Sequence, residues 1–199
     1  TGILNRQQVI EKMPVHMAAA SKADVSLGFF LVDIKGFKFI NDSYGMKAGD
    51  AVLAEIASRL SSSVLKPSIV GRLSGDSFVF AVDLSDDGQQ EKVAKHLHDL
   101  ISRPYFVNHQ EVHLQCSIGY CLSPQDSTIA EELLQQANLA LFQAESKNLP
   151  SVKYVVGMQG HGRHLLEAEK EIRRGLANQE FVLYFQPQLN LLTNRIDGV

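Results

Sequence analysis

The stretch Ser26-Leu27-Gly28-Phe29-Phe30-Leu31-Val32-Asp33 is apolar almost without interruption and closes on a carboxylate. A strand with one wet face alternates apolar and polar residues. This one does not, so it is predicted to be buried on both faces, with Asp33 near its carboxyl end, where a site can form. At 199 residues with 45% apolar content the chain can bury a full core, and its length suggests one complete domain with a fragment of a second.

The elements around that strand follow from periodicity and punctuation. Asn5 to about Ala20 reads as a helix capped by Asn5, in which Pro14 predicts a kink or a break. Ala48 to Leu65 carries Val52, Leu53, Ile56, Ala57 and Leu60 at helical spacing, with Pro67 stopping it shortly afterwards. Ile69 to Leu73 and Phe78 to Val82 are short apolar runs around Ser74-Gly75-Asp76-Ser77, a β-hairpin whose turn displays Asp76. A helix over Asp86 to Ser102, a hairpin turning around Asn108-His109 and a strand over His113 to Cys121 come next. Thr128, followed three residues later by Glu131, matches a capping box that opens a helix reaching Lys147, and Val152 to Val156 supplies a last strand. This order favours an α/β (α+β) fold of the ferredoxin-like palm type, with a mixed, mainly antiparallel central sheet flanked by helices.

Charge and cysteine usage exclude several functions. The formal net charge is -3, so no evident basic surface neutralises a phosphate backbone, and nucleic acid is not an expected partner. No apolar run approaches the ~20 residues of a membrane helix, and the N-terminus lacks a signal-peptide pattern, so the expected location is the cytoplasm. Cys116 and Cys121 lie five apart in one apparent strand, which places them on opposite faces where they cannot readily pair. The pairs His96/His98, His109/His113 and His161/His164 lack further ligands at zinc spacing and read as solvated or packed histidines.

Thr1-Gly2-Ile3-Leu4-Asn5-Arg6, then Asp33-Ile34-Lys35-Gly36-Phe37-Lys38-Phe39-Ile40-Asn41-Asp42 with Tyr44-Gly45 and Gly49-Asp50, form an ordered series of segments. Arg72-Leu73-Ser74-Gly75-Asp76-Ser77-Phe78 and Ser117-Ile118-Gly119 complete it. Singly, a glycine-aspartate hairpin is commonly only a turn, and Asn41-Asp42 is ordinary loop chemistry. In joint order and spacing they resemble the GGDEF family, the diguanylate cyclase fold, over about Thr1 to Val156: an opening motif, an aspartate-rich strand end, an asparagine-aspartate turn, a glycine-aspartate pair, the signature loop and a later strand.

The resemblance implies a chemistry that can be checked residue by residue. In the family two GTP molecules on two facing protomers give cyclic di-GMP, a phosphoryl transfer that relies on positioning and charge stabilisation. Asp33 and Asp76 match acidic positions that hold magnesium, and both could still do so. Asn41 and Asp50 match the guanine-reading amide and carboxylate, and Lys38 matches a phosphate-contacting lysine. The signature loop Ser74, Gly75, Asp76, Ser77, Phe78 departs from the pattern: its first glycine is Ser74, and its glutamate is Ser77, a neutral hydroxyl that supplies neither ligand charge nor base. Glu145 and Leu149 stand where a lysine and an arginine usually hold the triphosphate, and Lys147 is a neighbouring cation. An anion there would repel polyphosphate, at a cost of roughly several kcal/mol if the site is partly desolvated. Leu65-Lys66-Pro67-Ser68 replaces the arginine-x-x-aspartate of product inhibition, so no such cyclic di-GMP site is expected.

Glycines at 157 and 160 suggest a boundary. His164 to Ala177 is a predicted helix with Leu165, Ile172 and Leu176 along one side and Glu169 placed to pair with Arg173. Phe181 to Gln186 is then a predicted strand, and Asn190 to Asn194 turns the chain toward a second near Ile196. Glu169 through Val199, with Phe181-Val182-Leu183-Tyr184-Phe185-Gln186-Pro187, resembles the lead-in to EAL phosphodiesterase domains. The expected organisation is a GGDEF-like domain over 1–157, a linker helix over 158–178 and the start of an EAL domain over 179–199, cut from a longer protein with sensor domains upstream. The resemblance implies a non-catalytic regulatory domain that serves the adjoining EAL domain, with a GTP sensor and a weak cyclase as alternatives, magnesium needed only if nucleotide binds, and a homodimer as a further expectation. Control of motility or biofilm is the nearest functional analogy.

Overall fold

Residues 1–86, 88–158, 171–182, 184, 187–190, 193 and 195–198 are described by the computed structural model, which divides into two compact units, Thr1–Met158 and Gln159–Val199. In the first unit the elements are β1 (Leu4–Asn5), α1 (Arg6–Lys22), β2 (Ser26–Lys35), α2 (Phe37–Tyr44), α3 (Met46–Ser61), β3 (Ile69–Ser74), β4 (Ser77–Leu84), α4 (Gln89–Ile101), β5 (Tyr105–Val107), β6 (Gln110–Val112), β7 (Gln115–Ser123), α5 (Ala130–Ser146) and β8 (Ser151–Lys153). The sheet order is β1-β3-β4-β2-β7-β8; β2 pairs antiparallel with β4 and β7, and the parallel pairs lie at the two edges. This is the mixed, mainly antiparallel sheet expected, with the apolar strand at its centre.

Both faces of β2 are covered. Phe30, Val32 and Ile34 join Ile56 and Leu60 of α3 and Leu97 of α4 in one core, while Leu27, Phe29 and Leu31 join Val9 and Met13 of α1 and Leu133 and Ala137 of α5 in the other. Each fully buried phenylalanine contributes roughly 1.5–3 kcal/mol. Phe30 also fixes the register: it lies opposite Phe80 and Tyr120, meeting the first edge-on at 6.5 Å and stacking on the second at 5.2 Å. A slip of one residue would turn this row, and every other, to the wrong face. The buried thiols of Cys116 and Cys121 belong to opposite cores, and burial pushes the first up to about 12 and the second higher still.

Several local expectations are corrected. Helix α1 does not break at Pro14: Val9, Met13, Met17 and Ala20 bury one continuous side, while Pro14 lies exposed, where the carbonyl it leaves unbonded is best placed to meet water. Asn5 and Gln8 do form a reciprocal cap, at 2.9 and 3.0 Å. Asn41-Asp42 is not in a turn but in α2, whose Phe37 and Ile40 are buried against the core; burial of that face outweighs turn preference. Helix α3 begins at Met46 and stops at Ser61, short of the expected Leu65. Thr128 caps nothing: α5 opens after Ile129, and Ser127 Oγ accepts from Ile129 N at 3.0 Å while donating to Glu132 at 2.6 Å. The hairpin β5–β6 turns at Asn108 and His109, both left-handed at φ 49° and 65°, as a two-residue turn of this hand requires.

In the second unit residues 171–177 are helical, and β9 (Gln188–Asn190) pairs antiparallel with β10 (Arg195–Gly198), near the second strand expected around Ile196. The strand expected over Phe181 to Gln186 is not found at Phe181, Val182 or Tyr184. After the helix Glu180 N donates to Gly175 O at 2.8 Å, and the Phe181 ring lies against Gly175. The start of the predicted linker helix, Leu165 and the Glu169 side of the pair with Arg173 lie outside the described residues. No helix among those described is long and apolar enough to cross a membrane.

Candidate functional site

The register set by Phe30 carries three residues on to Asp33, which lies opposite Ser77 on β4 and Ser117 on β7. All three share the sheet face covered by α1 and α5. Ser117 is fully buried, and its hydroxyl has no hydrogen-bond partner among the described residues. The tip of the β3–β4 hairpin is tied to the same strand end: Ile34 N donates to Asp76 O at 3.3 Å, and Arg72 Nε donates to Gly75 O at 2.7 Å across a turn in which Gly75 is left-handed at φ 44°. Asp76 is thereby held near Asp33.

Electrostatics at this point are one-sided. Burial pushes the Asp33 carboxyl up to about 7, and the neighbouring carboxylates of Asp76 and Glu145 push the same way. Lys35 lies two residues on, but its Nζ donates to Asn148 Oδ1 at 2.9 Å. Glu145 reaches this end because α5 packs tightly on β7: a Cβ at Gly119 would overlap the backbone of Ala137 and Leu141. The later strand motif Ser117-Ile118-Gly119 is thus a seat for a helix.

Beside the hairpin tip is a cleft of about 280 Å³ lined by Lys38 and Asn41 of α2, Asp50 and Leu53 of α3, and Arg72, Gly75 and Asp76 of the hairpin, among others. The fold therefore gathers Lys38, Asn41, Asp50, Gly75 and Asp76 in one place. Asp33 lies at the adjacent strand end and does not line this cleft, and Ser74 and Ser77 line a different hollow of about 400 Å³ with Arg6, Leu31, Leu73 and Glu131. Phe78 is fully buried in the core. Among the described residues no group of three His, Cys, Asp or Glu side chains could hold a metal ion. A larger hollow, about 600 Å³ between α3 and the β5–β6 hairpin, includes Arg59 stacked 4.0 Å over the Tyr105 ring and none of these carboxylates, so its size does not make it this site.

Two structural roles were not readable from the sequence. A Cβ at Gly49 would collide with the Asn41 carboxamide, so the glycine of the Gly49-Asp50 pair makes room for the neighbouring amide. Arg72, two positions before the loop, clamps its carbonyl and lines the cleft. The signal was present as a glycine beside an acid and an arginine beside a turn, but neither spacing reports which partner lies across α2 or the hairpin.

Comparison with known proteins agrees with this architecture. The family described as "Diguanylate cyclase, GGDEF domain" matches residues 1–149. The bifunctional diguanylate cyclase/cyclic di-GMP phosphodiesterase MucR of Pseudomonas aeruginosa is 28% identical over 95% of this chain and 28% of its own length. The cyclic di-GMP phosphodiesterase NbdA of the same organism is 27% identical over 98% of this chain and 25% of its own length. A crystal structure of a sensory box/GGDEF family protein from Caulobacter crescentus superposes with a TM-score of 0.70 at 33% identity, covering 74% of this chain and 96% of that one. The chain belongs to the GGDEF family. It spans about a quarter of the length of these two curated relatives, both of them cyclic di-GMP proteins.

Proposed function

We propose that this chain is a non-catalytic, regulatory GGDEF domain of a cytoplasmic cyclic di-GMP signalling protein, relaying signals to or scaffolding an adjoining EAL domain that begins near residue 179. The observation that carries this reading is the charge at the strand end: Asp33 faces the neutral Ser77, and the charged groups that act on it are Asp76 and Glu145. Cyclisation of GTP needs cations on the triphosphate and metal ions between attacking and leaving oxygens. Two carboxylates with a hydroxyl in place of a third ligand fit a magnesium pair poorly, and Glu145 adds repulsion where a cation is needed. The test is to incubate the chain with GTP and magnesium and assay cyclic di-GMP; sustained synthesis would sink the proposal.

A second reading is favoured by the cleft. Asn41, Asp50 and Lys38 line one space although they come from two helices, which supports a domain that still binds a guanine ligand and uses it to tune the EAL domain. Calorimetry with guanine nucleotides, repeated on Asp50→Ala, distinguishes this from a purely structural relay: heat from the parent that is lost in the variant supports binding, and no heat from either removes it.

A further inference from the structure

The hollow of about 600 Å³ between α3 and the β5–β6 hairpin is used by neither reading of the cleft. It exists because one stripe of α3 is small where it passes the hairpin: Ala48 and Ala51 carry nothing beyond a methyl, with Lys47 and Glu55 flanking them. The opposite wall is β5 with its flanking residues, Pro104 to Asn108. In a hairpin closed by the two residues Asn108 and His109, Val107 and Gln110 form the hydrogen-bonded pair next to the turn, and bonded and unbonded pairs alternate from there. Phe106 and Glu111 are therefore an unbonded pair, and the Phe106 N–H and C=O point away from β6. They bond to no backbone group elsewhere among the described residues. The hairpin is a sheet of two strands, so this outer edge of β5 is open.

The charges around the hollow leave one cation unpaired. Arg59 Nε donates to Glu55 Oε1 at 2.9 Å, and its other nitrogens donate to the carbonyls of Arg103 and Pro104 at 2.9 and 2.6 Å, so both side chains are committed. Lys47 is exposed, with no ion pair or hydrogen bond among the described residues. Phe106 is 77% exposed and gives the hollow an apolar lip.

We propose that this hollow takes a short, extended peptide segment of a partner protein, apolar and carrying a carboxylate, which adds a strand to β5 at Phe106 and sets the carboxylate beside Lys47. The strand edge reads the peptide backbone, the space over Ala48 and Ala51 admits an apolar side chain, and Lys47 selects against basic segments. With one outward N–H and C=O pair, β5 holds a short segment and does not template a growing sheet. The hollow also lies against the elements of the cleft: α3 carries Asp50, and Tyr44, at the end of the helix that bears Asn41, donates to Gln110 Oε1 at 3.1 Å. A docked strand thus bears on both helices of the cleft, whether or not the cleft holds a nucleotide.

The experiment is a nuclear magnetic resonance titration of the isotope-labelled chain with an acetylated, amidated tetrapeptide, valine-phenylalanine-valine-aspartate, to millimolar concentration. Saturable shifts of the Lys47, Ala51 and Phe106 amides are expected, with solvent exchange of the Phe106 amide slowed as it enters a strand pair. Ala51→Phe fills the hollow from an exposed position and is expected to weaken binding at least tenfold with the thermal melt unchanged. Lys47→Glu is expected to weaken this peptide at least threefold and to favour a version ending in lysine. No saturable shift at these amides, or saturation without slower exchange at Phe106, overturns the proposal. Equal binding of the two peptides by the parent chain also overturns it. The same shifts on concentrating the chain without peptide would assign the hollow to a second copy and overturn it as well.

Discussion

The cleft at Asn41 and Asp50 and the strand end at Asp33 are adjacent, yet they are built in opposite ways. The cleft balances its charges, with Lys38 and Arg72 lining the same space as Asp50 and Asp76, and adds the Asn41 carboxamide. The strand end concentrates like charge around a half-buried carboxyl whose row mates are two serines. Recognition needs only complementary hydrogen bonds, but phosphoryl transfer needs counter-charge, and the proposed reading is that this molecule is better furnished for the first than for the second.

The strongest way to break this contrast is to unseat the helix that brings Glu145 to the strand end. Gly119→Ala would drive a methyl into the backbone of α5, which cannot move aside as a flexible side chain would. A loss of roughly 3 kcal/mol is expected in urea unfolding. Near-neutral stability would mean that α5 does not sit on β7 as described.

Restoring charge at the strand end is the next test. Ser77→Glu or Glu145→Lys alone is expected to leave cyclic di-GMP synthesis undetected, because each leaves the other defect in place. The double variant is expected to gain measurable turnover. Activity in Ser77→Glu alone would show that Glu145 is no obstacle, and silence in the double variant would locate a further defect, such as Ser74.

Gly49→Ala acts on the cleft alone. Its methyl collides with the Asn41 carboxamide, so binding of the preferred guanine ligand should fall at least tenfold while the melting temperature shifts far less than for Gly119→Ala. Equal binding would remove Asn41 from the recognition set.

The smallest effect concerns pH. The Asp33 carboxyl titrates at about 7 in the folded chain against an ordinary 3.8, so between these values the folded state holds a proton that the unfolded chain has lost. Stability therefore falls as pH rises from about 4 to about 7, and the cost is complete above that. Asp33→Asn should flatten this slope and stabilise the domain at pH 8 by on the order of 1 kcal/mol, the figure discounted for the solvent-facing part of the group. An unchanged pH slope would show that Asp33 is well solvated.

Much of the fold was legible because its signals are local. The apolar run at β2, the period of α3 and α5, the turn residues at Gly75-Asp76 and Asn108-His109 and the opposed cysteines all report their own surroundings. The errors fall where a neighbour decided. Pro14 was overruled by the buried side of α1, Asn41-Asp42 was drawn into a helix by Phe37 and Ile40, Thr128 caps nothing because α5 opens after Ile129, and the Phe181 ring lies against Gly175.

By itself the sequence determined the central strand, the hydrophobic patterns of its flanking helices and the residues from which a base-reading site could be made, since each depends on residues close together in the chain. Only the tertiary structure decided that Asp33 faces Ser77 and Ser117, that Gly119 seats the helix bearing Glu145, that Lys35 is held by Asn148, and that Gly49 clears space for Asn41. These are relations between surfaces brought together by packing, and charges interact through space with whatever the fold sets beside them, not with their neighbours in the chain.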